Sequence, residues 1–409
     1  MRTEDELAGA LRAAATRAPE AGDLLKAVAM RKRRRQRRRT QAMAIACAAA
    51  VIGVGLATRS LFSGWAADPV IAPPSNVLPT PTRTVTVSPE ALRPAPNAMA
   101  ADKVWPKAVF TMPAKNADGW RYRPITSLSA TKVLLSAESS FERAGKIEVY
   151  DSATRKSRVV TEVPRTPGLK DYIPQTMTTD GKTIAWFSFG RKNGMRLREI
   201  WTVPLTGGKP RLVTTLTGER AEIDAIAIDG DRIVWSEPGG VWEIPIAGGV
   251  PEQIPGGAGL HLLTWPWAGD VAAGPGTGDR NQTKMVDLSS GTALQIAVRP
   301  GTKGLRCGPS WCFGRNPKGG FVHRVDGTET RAVKGSDFGH RMSLTPILDR
   351  FVPLSSSVYD IATGKMATVG MGSSWMGIGT SSEPSTIIYW EGRPGTFRVL
   401  NLAAVPPGQ

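Results

Sequence analysis

Cysteine and histidine are scarce. The chain of 409 residues holds three of each. That excludes zinc fingers and iron–sulfur clusters, which need dense thiolate or imidazole ligands. None of His261, His323 and His340 has a second ligand candidate at i+2 or i+4. Core or surface roles are expected for all three, with no metal and no cofactor. No Gly-rich phosphate loop opens a helix, and no G-x-S-x-G elbow occurs. Helical stripes are also missing beyond about residue 104. Gly 44 and Pro 32 are abundant, and both penalise helix interiors. Acids are outnumbered by bases 35 to 52, giving a net charge of +17.

That charge is unevenly spread. Met1–Ala66 has thirteen basic and five acidic residues, net +8, which leaves +9 for the rest. Arg31–Arg39 reads RKRRRQRRR and directly precedes the uncharged stretch AMAIACAAAVIGVGLAT, Ala42–Thr58. Alone, such a basic run suggests a nucleic-acid arm. Beside an apolar stretch of about 26 Å as a helix, it reads as a positive-inside signal instead. Nucleic acid is therefore not the expected partner. The expected organisation is a cytoplasmic basic tail with a short amphipathic helix (1–40), a transmembrane helix (41–62), a Pro-rich disordered linker (67–103) and a folded domain outside the membrane (104–409). Secretion after signal cleavage near Ala66 is the alternative. Thr3-Glu4-Asp5-Glu6 is a capping-box signature. It heads a segment able to engage a cytoplasmic regulator such as a sigma factor.

The folded domain is a repeat. An apolar strand, a small-residue turn and a second apolar strand recur as KIEVYDSATRKSRVV, EIWTVPLTGGKPRLV, VWEIPIAGGVPEQI, KMVDLSSGTALQI, FVHRVDGTETRAV and SVYDIATGKMATV; TFRVLNLAA lacks the second strand. Residues Ser152, Leu205, Ile246, Leu288, Val325, Ile361 and Leu402 mark equivalent points, spaced 53, 41, 42, 37, 36 and 41 apart. Another strand pair precedes each. Four strands in about forty residues is the period of a propeller blade. The fold class is all-β: a seven-bladed β-propeller, with six or eight blades as alternatives. Lys107–Ala114 (KAVFTMPA) is expected to supply the missing outer strand of the last blade and so remove an exposed edge.

TDGKTIAWFSF with EIWTVPLTGGKPRLV, and IDGDRIVWSEP with VWEIPIAGGVPEQI, resemble the TolB-like, WD-repeat-like propeller repeat. The likeness covers about residues 171–257 and fades afterwards. The basic run, anchor, linker and propeller together resemble membrane-anchored actinobacterial proteins of uncharacterised function. The resemblance implies the fold and is nearly silent on activity. TTDGKTIAW departs from the sialidase Asp box, because its Asp and Gly are adjacent.

Several residues remain as site candidates. Cys307 and Cys312 flank the turn Gly308-Pro309-Ser310 and are expected to form a structural disulfide. Trp186, Trp235 and Trp390 occupy matching second-strand positions and should pack between blades. Trp265 and Trp267 lie two apart on an expected inner strand of blade four, where they would share one face. They are candidate channel aromatics for a sugar or peptide, with core packing as the plainer role. Connections between second and third strands all open on one face of a propeller. They carry Arg143, Lys146, Arg191, Lys192, Arg196, Arg198, Arg280, Lys284, Arg315, Lys318 and Arg393, against Glu142, Glu199, Glu237, Asp279 and Glu391. This is a candidate face for an anionic partner: an envelope polymer, acidic lipid or acidic protein. The expected function is a binding or scaffold module, not an enzyme. A transmembrane sensor and a glycan-active propeller are the alternatives.

Overall fold

The computed structural model describes residues 98–140, 143–272, 278–333, 345–354, 356–370, 376–378 and 385–407. The expected tail (1–40), membrane helix (41–62) and nearly all of the linker (67–103) lie outside them. Among the described residues no helix is long and apolar enough to cross a membrane.

The described chain opens with β1 (Met99–Ala100) and β2 (Val109–Pro113), separated by a one-turn helix (Ala101–Val104) and a 3-10 turn (Pro106–Ala108). Blade one follows as β3 (Arg121–Ser127), β4 (Lys132–Ser140), β5 (Arg143–Asp151) and β6 (Lys156–Glu162). Blade two is β7 (Lys170–Thr179), β8 (Thr183–Lys192), β9 (Met195–Pro204) and β10 (Arg211–Thr217). Blade three is β11 (Ala225–Asp229), β12 (Arg232–Glu237), β13 (Gly240–Pro245) and β14 (Glu252–Ala258). Blade four is β15 (His261–Thr264), β16 (Trp267–Gly269), β17 (Lys284–Asp287) and β18 (Thr292–Gln295). Blade five is β19 (Lys303–Cys307), β20 (Trp311–Asn316), β21 (Gly319–Arg324) and β22 (Arg331–Val333). Blade six contains β23 (Phe351–Pro353), β24 (Ser357–Asp360) and β25 (Met366–Thr368); blade seven contains β26 (Met376–Ile378), β27 (Ile387–Glu391) and β28 (Thr396–Asn401). Seven four-stranded sheets make an all-β, seven-bladed propeller.

Burial explains the strand composition. β8 is covered on both sides by neighbouring blades and buries the run Ile184–Ser188 before ending in two exposed cations, whereas the outer strands β6, β10 and β14 bury two residues each. Adjacent blades enclose apolar clusters. Trp186 and Trp201 stack at 6.4 Å between blades one and two, and Phe187 and Trp235 fill the next gap. Trp390 packs against the cluster between blades six and seven. The three tryptophans are thus inter-blade residues, as expected from their register.

Turns fix the blade spacing. The Gly207-Gly208 pair has φ of 111° and 137°, a region costly for other residues. A Cβ on Gly207 would also lie 3.0 Å from the Val160 carbonyl of blade one. The turn therefore sits directly on the preceding outer strand. An arginine on that strand holds it there. Arg158 donates to the Thr206 and Leu205 carbonyls at 3.1 and 2.9 Å. Arg211 donates in the same way to Ala247 of blade three, and Arg331 to Ile361 of blade six at 2.7 Å.

The ring closes as expected. β2 pairs antiparallel with β28 over Val109–Pro113, completing blade seven. Ser385 Oγ donates to the Ile125 carbonyl (2.6 Å), and Asn401 Nδ2 to the Ser129 carbonyl (2.8 Å), joining blade seven to blade one. A second closure was not foreseen. β1 pairs in parallel with β25 as Met99↔Ala367 and Ala100↔Thr368. The propeller therefore begins five residues ahead of the boundary placed at 104. In blade six the described inner position is a single bridge, Ile347↔Phe351.

Candidate anion-binding face

Alternation of strand direction puts the connections between second and third strands on one face. β1 runs parallel to β25, the strand that climbs toward this face, so the chain comes in at Ala98 from the side of the opposite turns. Ala98 and the cationic connections thus lie toward opposite ends of the blades.

Several cations of the face are already matched. Lys146 Nζ lies 2.6 Å from Asp118 Oδ2, which holds the ammonium above and the carboxyl below their ordinary ranges. Arg315 pairs with Asp279, which also lies 3.8 Å from Lys303 Nζ. Lys192, Arg280, Lys284, Lys318 and Arg393 are exposed. Arg143 begins β5; its side chain and Glu142 lie outside the description.

The acids counted against the face are less superficial than their loops imply. Glu199 and Glu237 are each 3% exposed. Glu199 accepts from Trp201 Nε1 (3.1 Å) and Thr166 Oγ1 (2.8 Å), and Glu237 from Trp235 Nε1 (3.1 Å) and Arg220 Nε (3.2 Å). Each ties a tryptophan of its own strand to the connection that leads into its blade. Glu391 lies 3.6 Å from Arg121.

Cations concentrate on blade two. The hairpin of β8 and β9 turns at Asn193-Gly194, both with positive φ (51° and 79°), the chemistry of a two-residue hairpin turn. Its register pairs Arg191 with Arg196 and Phe189 with Arg198; Lys170 on β7 pairs with Arg191. Side chains directly opposite share a sheet face, as do those two residues apart. Lys170, Arg191 and Arg196 therefore form one rung of three cations. Arg198 lies one rung deeper, and all face blade three, as Phe187 and Ile200 below them do. Arg196 pairs with the exposed Glu222 at 2.9 Å. Arg198 is 9% exposed, with its guanidinium 4.5 Å from the Phe189 ring centre. Its Nε and Nη1 are buried without a hydrogen-bond partner. Burial lowers its pKa, Glu222 opposes that shift, and Arg196 adds to it.

Trp265 and Trp267 require a correction. The inner strand β15 ends at Thr264, and Trp267 opens β16, paired with Thr264 across the turn. Pro266 cannot donate to a ladder, so pairing stops there. Trp265 packs on the cluster between blades three and four, Trp267 on that between four and five. They do not share a strand face and are divided between two interfaces.

Cys307 and Cys312 face each other across β19 and β20 and form the expected disulfide, with an S–S length of 2.00 Å. Asp349 accepts from the backbone N–H groups of Ser310 and Trp311, bracing the same turn. His323 is fully buried and stacks on Phe321, and burial lowers its pKa. His261, at the start of β15, holds Asp224 Oδ2 at 2.6 Å through Nδ1, and Ser236 Oγ donates to the other carboxylate oxygen. Asp224 lies between Ser236 and His261, which is not the order of a nucleophile–base–acid relay. His340 lies outside the described residues. Among the described residues no group of three or more His, Cys, Asp or Glu is placed to hold a metal.

The sequence reading missed Lys170, because it counted only second-to-third connections, and the arginine staples. A recurring Arg-x-Val on outer strands (Arg158-Val159-Val160, Arg211-Leu212-Val213, Arg331-Ala332-Val333) was the available signal for the latter.

No family model matches the chain, and no curated protein matches it. Solved structures that resemble it are propellers at low identity. An oligogalacturonate lyase in complex with manganese is 11% identical, over 70% of this chain and 77% of its own, with a TM-score of 0.37. An oligogalacturonate lyase from Vibrio parahaemolyticus is 10% identical over 68% and 77%, with a TM-score of 0.40. The β-propeller domain of the Trilobed protease from Pyrococcus furiosus is 11% identical over 66% and 89%, with a TM-score of 0.38. At this distance the likenesses concern architecture, and none carries an argument about binding or activity.

Proposed function

We propose that this chain is a non-enzymatic binding module: a propeller tethered outside the membrane that presents one cationic face to an anionic envelope polymer or an acidic protein. The observation that carries this reading is the three-cation rung Lys170, Arg191 and Arg196 above the buried Arg198 on blade two. Like charges directly opposite one another destabilise a sheet. Such an arrangement makes sense for a face that meets anions. The direction of the chain at Ala98 favours a partner distal to the tether over the bilayer holding it. The basic run and apolar stretch at residues 31–58 support the tethering and the orientation.

The test is sedimentation of the full chain with a purified phosphate-rich wall polymer at rising salt. Between about 0.05 and 0.5 M salt the Debye length falls from roughly 14 to 4 Å. Binding should weaken strongly over that range and on R191A/R196A/R198A substitution. Salt-independent, substitution-indifferent binding would sink the electrostatic reading.

A second reading, a sensor whose residues 3–28 engage a cytoplasmic regulator, is favoured by the capping-box signature at Thr3–Glu6. Deletion of residues 3–28 should abolish any such interaction; an unchanged interaction would end that reading.

A further inference from the structure

We infer that Lys170, Arg191, Arg196 and Arg198 form a discrete site for a phosphate group of a linear phosphodiester polymer, seated between the blade-two hairpin and the connection leading to blade three. The inference rests on the anion-binding reading above and narrows it to one place and one chemistry.

Three observations converge. The first is the rung itself. Lys170, Arg191 and Arg196 lie on three adjacent strands, with strand spacing of about 4.8 Å. Three cation-bearing side chains so arranged can surround one group with several anionic oxygens. A single carboxylate, with two oxygens, is matched by one guanidinium fork. The second is Arg198. It is nine-tenths buried, and its Nε and Nη1 lack acceptors among the described groups. A buried guanidinium without a bound anion is costly. Its neighbours are Phe187 and Phe189, with ring centres 6.0 and 4.5 Å away. These rings cover the guanidinium and accept no conventional hydrogen bond from it, and the charge of Glu222 reaches it only from the surface. The third is Glu222, whose carboxylate holds Arg196 at 2.9 Å from an exposed position. It is a counterion that an incoming phosphate displaces, because exposed ion pairs are weak.

A phosphate so bound would meet Arg191 and Arg196 at the surface and draw on the positive field of Arg198 beneath. The next rung toward the tip holds Lys192 opposite Met195, on the other sheet face. A polymer would therefore continue over the hairpin toward the remaining exposed cations of the face.

The experiment uses the full chain, titrated with inorganic phosphate, with a glycerol-phosphate oligomer and with phosphatidylglycerol vesicles. Thermal unfolding and equilibrium binding are read for wild type, Arg198→Met, the double variant Lys170→Gln/Arg191→Gln and the double variant Lys318→Gln/Arg393→Gln. Wild type should gain Tm with phosphate, since a ligand bound by the folded state alone stabilises it. Arg198→Met should match or exceed wild type in Tm without phosphate, because it removes a buried charge whose Nε and Nη1 have no acceptor. It should lose the phosphate-dependent gain and bind the oligomer about tenfold more weakly. Lys170→Gln/Arg191→Gln, at exposed positions, should lose the gain as well. Lys318→Gln/Arg393→Gln should weaken oligomer binding and leave the phosphate response intact.

Retention of the full phosphate response in Arg198→Met, or a large drop in its Tm without phosphate, overturns the site; the latter would make Arg198 a structural residue. Binding to vesicles but not to the oligomer overturns the polymer assignment. If phosphate binds at blade two while the oligomer is indifferent to Lys318 and Arg393, the site stands and the wider face fails.

Discussion

Arg158 shows how one side chain can link two blades. Its guanidinium reaches two carbonyls of the next blade's turn, a geometry that an ammonium cannot reproduce. Arg158→Lys should therefore cost nearly as much as Arg158→Ala, about 1 kcal/mol in chemical denaturation at this exposed position. A negligible loss for Lys would show that charge, not the fork, matters. Trp186 sits at the other extreme, fully buried against Trp201. Trp186→Ala should cost about 3–5 kcal/mol. His323 is buried, and that burial holds its pKa below the ordinary 6.5. As pH falls through about 6.5 the unfolded chain binds this proton first, and the folded chain binds it only at lower pH. Stability should fall there, and His323→Phe should flatten that limb of the profile. At this scale the sequence was readable where chemistry is local: Cys307 and Cys312 sit on either side of a three-residue turn. It was unreadable for Glu199 and Glu237, whose loops suggested exposure. Their burial depends on indole N–H groups presented by Trp201 and Trp235, two residues away on the same face.

Among elements, β2 does the work of closure. Five residues of it pair with β28, and Met112 is buried between blades seven and one. Removing residues 1–113 should leave the edge of β28 open and produce association or loss of the cooperative transition. A chain beginning at residue 98 should unfold as the full-length chain does. Tyr389 lies in the same cluster, and burial pushes its pKa up to about 12. Between about pH 10 and 12 the unfolded tyrosine loses its proton while the folded one keeps it, so stability declines with rising pH. The loss reaches up to about 2–3 kcal/mol from this residue. Tyr389→Phe should blunt it in alkaline melts. Elements were legible in proportion to their turns. Blades two and three announce themselves through Asp-Gly and Gly-Gly, since those turns need positive φ. β1 is a two-residue parallel strand, too short for any alternation to register, and so it fell inside the expected linker. The Trp265–Trp267 spacing imitated a strand; Pro266 ended the strand between them.

For the whole molecule, a net charge of +17 says little until it is divided. Part lies beside the apolar N-terminal stretch. Part is spent on the outer strands of the blades, where Arg158, Arg211 and Arg331 fasten the next blade's turn. What remains exposed on the face of the second-to-third connections is the portion that bears on function. The most direct measurement compares two charge-reversal variants of equal net charge for binding of a phosphate-rich polymer. One is Arg191→Glu/Lys192→Glu/Arg196→Glu, on the proposed face. The other is Arg155→Glu/Lys182→Glu/Lys365→Glu, at exposed turns of the opposite face. The first should lose binding by about tenfold or more while the second stays near wild type. Equal losses would reduce the effect to net charge, and an unaffected first variant would contradict the proposed face outright.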